Sequence, residues 1–339
     1  MKSTEAQQGI VISEEDLQES SVASPRITPA GQQIADQRED RGCANDGRIP
    51  VEKETRMVRV LLGVFKRLAY WFAVPVILAE YLRAETGREY GIGFFTKIKL
   101  ALKMRRNYGR ITTGSRVIEH LLMATQIMRV PKSVEGCVVE CGSFKGGSAT
   151  NLSLVCGLCD RQLEIFDSFA GLPEPTAVDA EHLLVTVGQI HTYAKGAWKG
   201  ALEEVKGNIT RFGDVQRCNF NVGYFDESLP KFRDRKVVFA FLDVDLRTSL
   251  ETCLNYLWPQ LQDGCYIFTH EAPHMEIASA FFAEEWWKTN VRSKAPGLIG
   301  AGTGLGLLPS SGGFRSDLGY TVKNPSLSSF VVNPQTGVL

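Results

Sequence analysis

The run Val237-Val238-Phe239-Ala240-Phe241-Leu242-Asp243 constrains the fold of this chain more than any other stretch. A strand with one wet face alternates apolar and polar residues. An unbroken apolar strand is buried on both faces, as in a parallel sheet covered by helices. Shorter runs at 137–141, 163–167, 218–222 and 265–269 repeat the theme. Helical patterns fall between or after them, at 148–158, 201–211, 249–257 and 277–290. In the second of these Ala201, Leu202, Val205 and Ile209 share one face. Strands alternating with helices imply βαβ units, an α/β class and right-handed crossovers. Residues 320–323 and 329–332 are candidates for closing strands at an edge.

The remainder of the 339 residues divides by composition. Residues 1–56 are rich in Ser, Glu, Gln, Asp and Arg and predict a disordered tail, too poor in apolar area to offset its ordering entropy. Residues 57–130 read as an N-terminal helical segment and 131–339 as the main domain. Within 57–82 the uncharged apolar run from Leu68 to Ala79 is 12 residues long. A membrane-spanning helix needs about 20, and Pro75 interrupts the run. Packing on the main domain or on a second copy, as in a homo-oligomer, is one reading. Basic residues ahead of Tyr70, Trp71 and Phe72 give another, a weak membrane-surface contact. Over 94–130, Leu100, Met104, Ile111, Val117, Leu121, Leu122 and Ile127 keep a broken helical period, with Gly109 and Gly114 at a joint.

Lys+Arg and Asp+Glu balance at 38 each, so no basic field points to a nucleic-acid partner. The eight cysteines sit largely in apolar runs and no secretory signal pattern is read. A reducing, cytoplasmic setting is therefore expected, membrane-peripheral if 57–82 meets a lipid surface. Cys156-Gly-Leu-Cys159 is a lone C-x-x-C and reads as packing.

In open α/β sheets ligands sit at the carboxyl ends of the strands. Here those ends carry Glu140 and Gly142, then Asp167, then Asp243 and Asp245, then Thr269-His270-Glu271. The turn Gly142-x-x-x-Gly146-Gly147 lets backbone approach a ligand closely. Its spacing is neither the dinucleotide fingerprint nor a phosphate-binding P-loop. Asp167, about 25 residues on, is placed to accept ribose hydroxyl protons. A Gly-rich turn with a ribose carboxylate and no pyrophosphate spacing points to an adenosine ligand such as S-adenosylmethionine. The bland reading is that Asp167 only caps its own loop.

At these residues a resemblance becomes specific. Glu140-Cys-Gly-Ser-Phe-Lys-Gly-Gly-Ser148, Phe166-Asp-Ser-Phe-Ala-Gly-Leu-Pro173, Gly200-Ala-Leu-Glu-Glu-Val-Lys206, Gly223-Tyr-Phe-Asp-Glu-Ser-Leu-Pro230 and Phe241-Leu-Asp-Val-Asp245 resemble, in order, the motifs of the macrocin O-methyltransferase family. The match covers roughly residues 95–290. The resemblance implies a Rossmann-like class I methyltransferase fold. That is a mostly parallel seven-stranded sheet with helices on both faces, preceded by N-terminal helices. It implies S-adenosylmethionine as cofactor, often with Mg²⁺, and O-methylation of a hydroxyl on a sugar or other small natural-product acceptor. It places the cofactor on Glu140, Gly142, Ser143, Phe144, Gly146, Gly147, Ser148, Asp167, Ser168 and Asp243.

The resemblance is weakest at the metal. Where the family carries an Asp-Asp pair, this chain has Thr269-His270 or, one residue on, His270-Glu271. Asp243 with Glu271 suits Mg²⁺, whereas adding His270 suits Mn²⁺ or another transition ion better. His274 is a further nitrogen. Without a metal a general base must take the hydroxyl proton, and His270 and His191 are the candidates, with His182 behind them. A methyltransferase-like binding protein without catalysis, a metal-dependent glycosyltransferase built on Asp243-Val-Asp245, and an NAD-dependent dehydrogenase remain as alternatives.

Overall fold

The structure is a computed structural model that describes residues 75, 77–180, 184–186, 189–191, 193–272, 274–299 and 317–327. The expectations for 1–56, for most of 57–82, for 329–332 and for His182 lie outside the described residues. All described residues belong to the unit Glu54–Leu339.

Helices α1 (Phe94–Tyr108) and α2 (Val117–Arg129) precede strand β1 (Cys137–Cys141). Then follow α3 (Gly147–Leu158), β2 (Leu163–Asp167), the small hairpin β3 (Leu184–Thr186) and β4 (Gln189–His191), α4 (Leu202–Phe212), β5 (Cys218–Val222), β6 (Val237–Leu242), α5 (Arg247–Leu257), β7 (Leu261–Thr269) and β8 (Gly319–Val322). The main sheet runs β5-β2-β1-β6-β7-β8, all parallel except β8, which pairs antiparallel with β7. It has six strands among the described residues, one fewer than expected.

Strand β6 shows why an unbroken apolar run was needed. All six of its residues are buried. Phe239 and Phe241 join a cluster with Leu100 and Met104 of α1, Leu121 and Ile127 of α2, Leu152 of α3 and Val205 and Ile209 of α4. Val238, Ala240 and Leu242 point the other way, against Leu250, Leu254 and Leu257 of α5 with Trp258 and Trp287. Each such side chain contributes about 1.5–3 kcal/mol by leaving water, so both faces must be covered, and they are.

The helix expected over 277–290 is instead a chain of short turns, Met275–Ala278, Ser279–Phe282, Glu284–Trp286 and Trp287–Val291. Ala283 breaks the ladder with ψ at 76°. The Trp287 indole, fully buried, donates to the Ala280 carbonyl at 2.8 Å and meets Trp258 edge-on at 5.0 Å between centroids. The seven described cysteines are all unbridged, and Cys156 and Cys159 are packed in the core as expected.

Candidate active site

From β1 the chain moves outward to β2 and β5, and later from β6 to β7 on the other side. The order reverses between β1 and β6, and a crevice opens there at the carboxyl ends of the strands. Gly142 follows β1 and Asp243 follows β6, side by side. The Asp243 N–H donates to the Cys141 carbonyl at 2.9 Å, and the His270 N–H donates to the Leu242 carbonyl at 2.9 Å. A Cβ on Gly142 would lie 1.9 Å from the Asp243 carbonyl oxygen, and its φ is +85°. Gly142→Ala is therefore expected to cost about 3 kcal/mol or more, read as a lowered denaturant midpoint. A wild-type midpoint would contradict this packing.

A cavity of about 240 Å³ fills the crevice. Gly142, Phe144, Asp167 and Ser168 line one side, and Asp243, Asp245, His270 and His274 another. Trp198, Tyr224 and Phe225 add aromatic surface. The Phe144 and Trp198 rings meet edge-on at 5.8 Å. Phe144, Trp198 and Asp245 hold left-handed backbone, with φ of 46°, 57° and 61°. Bulky residues rarely adopt it, and such strain tends to gather at functional sites.

Asp167 ties the turn together. Its Oδ2 accepts from the Ser143 N–H at 2.7 Å and the Ser143 hydroxyl at 3.0 Å, and its Oδ1 from the Phe169 N–H at 2.7 Å. Burial nevertheless leaves its carboxyl above the ordinary range, against the pull of those donors. Beneath the turn the Glu140 carboxyl is fully buried, and neither oxygen has a hydrogen-bond partner among the described residues. Burial pushes it up to about 8, the neighbouring Ser148 hydroxyl drawing it partly back.

Across the cavity, carboxylate oxygens of Asp243, Asp245 and Glu271 lie within 4.8 Å of one another. Glu271 Oε1 accepts from the N–H groups of Val244 at 3.2 Å and Asp245 at 2.9 Å, while its Oε2 meets His274 Nδ1 at 2.9 Å. Burial alone would raise Glu271, but His274 and these donors bring it below the usual carboxylate range. Asp245 goes the other way: burial, then the Glu271 and Asp243 charges, push it well above normal. Tyr193 hydrogen-bonds Asp245.

His270 is wedged between two acids. Its Nδ1 is 3.4 Å from Asp243 Oδ1 and its Nε2 3.5 Å from Glu119 Oε2. Burial opposes its charge, but the two carboxylates win and lift its pKa well above the histidine range. Glu119, fully buried on α2, also accepts the Arg116 and Asp317 N–H groups at 2.6 and 2.7 Å.

The next residue, His120, faces a different way. Its Nε2 meets the Ser115 hydroxyl at 2.8 Å and its Nδ1 the Asn151 amide at 2.7 Å, and Asn151 accepts from Asn107 at 2.9 Å. This chain fastens the loop that brings Gly114 to the cavity onto α3. Burial holds His120 down at about 4 against an ordinary 6.5. A depressed histidine is stabilising when neutral, and that stability is lost as pH falls from about 6.5 to about 4. The gap corresponds to about 3 kcal/mol. Glu140 acts oppositely, its stabilisation fading from about pH 4.5 to 8. The His120 contribution is thus read as the difference between wild type and His120→Gln. Urea midpoints that stay parallel between pH 4 and 6.5 would refute it.

The model of the family described as Macrocin-O-methyltransferase (TylF) matches residues 104–289. The chain belongs to this family. A relative from Streptomyces olivaceus is 8-demethyl-8-(2,3-dimethoxy-alpha-L-rhamnosyl)-tetracenomycin-C 4'-O-methyltransferase. It is 30% identical over 138 residues, covering 40% of this chain and 52% of the relative. The chain thus spans about half the length of that curated relative. Among solved structures, the O-methyltransferase NovP aligns with a TM-score of 0.47 at 18% identity, over 75% of this chain and 99% of that one. CalS11, a calicheamicin methyltransferase, aligns with a TM-score of 0.43 at 16% identity, over 67% of this chain and 92% of that one.

Of the cofactor residues expected from the macrocin O-methyltransferase motifs, Gly142, Phe144, Asp167, Ser168 and Asp243 line the cavity. Glu140, Ser143, Gly146, Gly147 and Ser148 do not line it. They build the turn below: a Cβ on Gly146 would press on Val205 and one on Gly147 on Thr113. Of the metal residues, Asp243 and Glu271 come together as expected, but the third carboxylate is Asp245, and His270 is turned to Asp243 and Glu119 instead. Both of its ring nitrogens face carboxylates, and Glu119, His270 and Asp317 form a second group whose ligand atoms lie within 4.8 Å of one another. His191 lies on β4, and its side chain is outside the described residues. Glu119, His120, Trp198 and Tyr193 escaped the sequence reading. No motif marks them, and only the long-range packing of α2 and of the segment after β4 brings them to the site.

Proposed function

We propose that this chain is an S-adenosylmethionine-dependent O-methyltransferase acting on a hydroxyl of a sugar or other small natural-product acceptor. One observation carries the reading. A Gly-rich turn anchored by Asp167 and a crowded carboxylate cluster face each other across a single cavity at the switch point of the sheet. Family membership supports it.

The residues fit the implied groups. Asp167 is a half-buried carboxylate on the cavity wall, suited to a ribose edge, with Phe144, Trp198 and Tyr224 offering aromatic surface beside it. Asp243, Asp245 and Glu271 form an all-oxygen donor set suited to Mg²⁺ or Mn²⁺, and their mutual repulsion on Asp245 is relieved by a cation. When bound, the cofactor supplies an electrophilic methyl group and the cation lowers the pKa of an acceptor hydroxyl. The protein's own work is orientation. His270 and the N–H groups of Val244 and Asp245 hold the acids in place. Trp198, half-exposed, with Leu172 and Pro173, forms an apolar wall that limits water.

The test is release of S-adenosylhomocysteine from S-adenosylmethionine over a panel of hydroxylated glycosides and phenols. Acceptor-dependent release is expected. Tight nucleoside binding with no release across the panel would favour the binding-protein reading, and binding of a nucleotide-sugar instead would favour the glycosyltransferase.

A further inference from the structure

Helix α1 has two apolar faces, and among the described residues only one is buried. Leu100, Met104, Lys97 and Asn107 are buried on the domain side. On the opposite side Phe95, Ile98 and Leu102 fall at i, i+3 and i+7, one stripe of a helix. Phe95 is 78% and Leu102 51% exposed, and Phe94 beside them is 54% exposed. Lys99, Lys103 and Arg106 flank this stripe on one side and Arg105 on the other, with Arg110 just beyond the helix, and all five are exposed. The helix sequence FFTKIKLALKMRRNY contains no acid. Among the described residues none of the five cations forms a salt bridge.

Like charges this close repel one another. In a chain whose charges balance overall, the concentration is local. We propose that the exposed face of α1 docks on an anionic lipid surface, Phe95 and Leu102 entering the headgroup region and the flanking cations meeting lipid phosphates. The layout, an apolar centre bordered by cations, is that of an interfacial helix. A second copy of this chain is a poor occupant, because a two-fold contact would set these cations against themselves. A nucleic acid would use the cations but leave Leu102 and Phe95 without a role. The preceding sequence, 57–82, carries a similar mixture of aromatic, aliphatic and basic residues.

The experiment is flotation of the full chain with vesicles of phosphatidylcholine alone or mixed with phosphatidylglycerol. Wild type is expected to float with the mixed vesicles only, and to be released by high salt. Each cation near an anionic surface contributes about fivefold to binding, so the combined Lys99→Glu, Lys103→Glu and Arg106→Glu variant should partition at least about 100-fold more weakly. Phe95→Ser with Leu102→Ser should lose at least about tenfold through its apolar term, rising toward about 1000-fold the more fully the two side chains leave water. Both should melt with wild type, since the altered side chains are exposed. If the charge variant melts early, the salt response of wild type reads the same attraction without substitution. The proposal is overturned by equal flotation with neutral vesicles, by no flotation, or by undiminished binding of the charge variant. It is equally overturned if that variant loses oligonucleotide binding or dimerisation rather than vesicle binding.

Discussion

Asp167→Ala is expected to weaken S-adenosylmethionine binding about 100-fold by calorimetry. One charge-assisted hydrogen bond at the upper end of its usual worth, or two at the lower, accounts for that factor. The carboxylate sits on the cavity wall while three donors from its own turn hold it, the Ser143 N–H and hydroxyl and the Phe169 N–H. Removing it takes away a partner for ribose and also frees the turn that presents Gly142 and Phe144. Asp167→Asn separates these effects. The amide keeps the shape and one accepting oxygen, but its NH₂ cannot accept where the second carboxylate oxygen did and the charge is gone, so much of the loss should persist. An Asp167→Ala protein that binds the nucleoside as wild type does would remove Asp167 from the cofactor site and leave it as a loop cap.

Asp243→Ala is expected to lower turnover about 100- to 1000-fold on whichever acceptor the panel identifies. Losing a cation that stabilises a developing alkoxide costs several kcal/mol of barrier. Asp243 has three neighbours to lose: the carboxylates of Asp245 and Glu271 within 4.8 Å, and the His270 ring at 3.4 Å. Removing it takes away the nearer of the two carboxylates that His270 faces, at 3.4 and 3.5 Å. A second reading does not depend on the acceptor. Mn²⁺ or Mg²⁺ at a hundredfold excess over its dissociation constant stabilises the folded state by about 2.7 kcal/mol, so it should raise the wild-type melting temperature by a few degrees and leave Asp243→Ala unmoved. Chelator-resistant turnover together with an unmoved wild-type melting temperature would exclude the cation. The same drop in turnover with no metal response would reassign Asp243 to orienting the acceptor directly.

Much of the fold was legible because strand burial is a local composition signal. Val237–Leu242 and Leu163–Asp167 are strands because their residues must be buried on both faces, and any sheet that did so would read the same way. The turn after β1 was legible because glycine is needed where backbones touch, as at Gly142 against Asp243. The helix expected over 277–290 misled because its apolar residues serve one large indole. Trp287 is held by Ala280 and Trp258, and the backbone bends around it rather than following a 3.6-residue period.

The chemistry divides along the same line. Sequence alone determined that acids and glycines gather at the carboxyl ends of parallel strands, since chain direction and strand spacing decide that, and it singled out Asp167, Asp243 and Glu271 as candidates. Only the tertiary structure decided what His270 is. A histidine's charge state depends on which carboxylates stand within a few ångströms, and Glu119, 151 positions away by residue number, is not a neighbour until α2 packs against the sheet. The same holds for Asp245, turned into the cluster by a left-handed backbone, and for His120, kept neutral by burial. Electrostatics acts through space, and the space is set by packing.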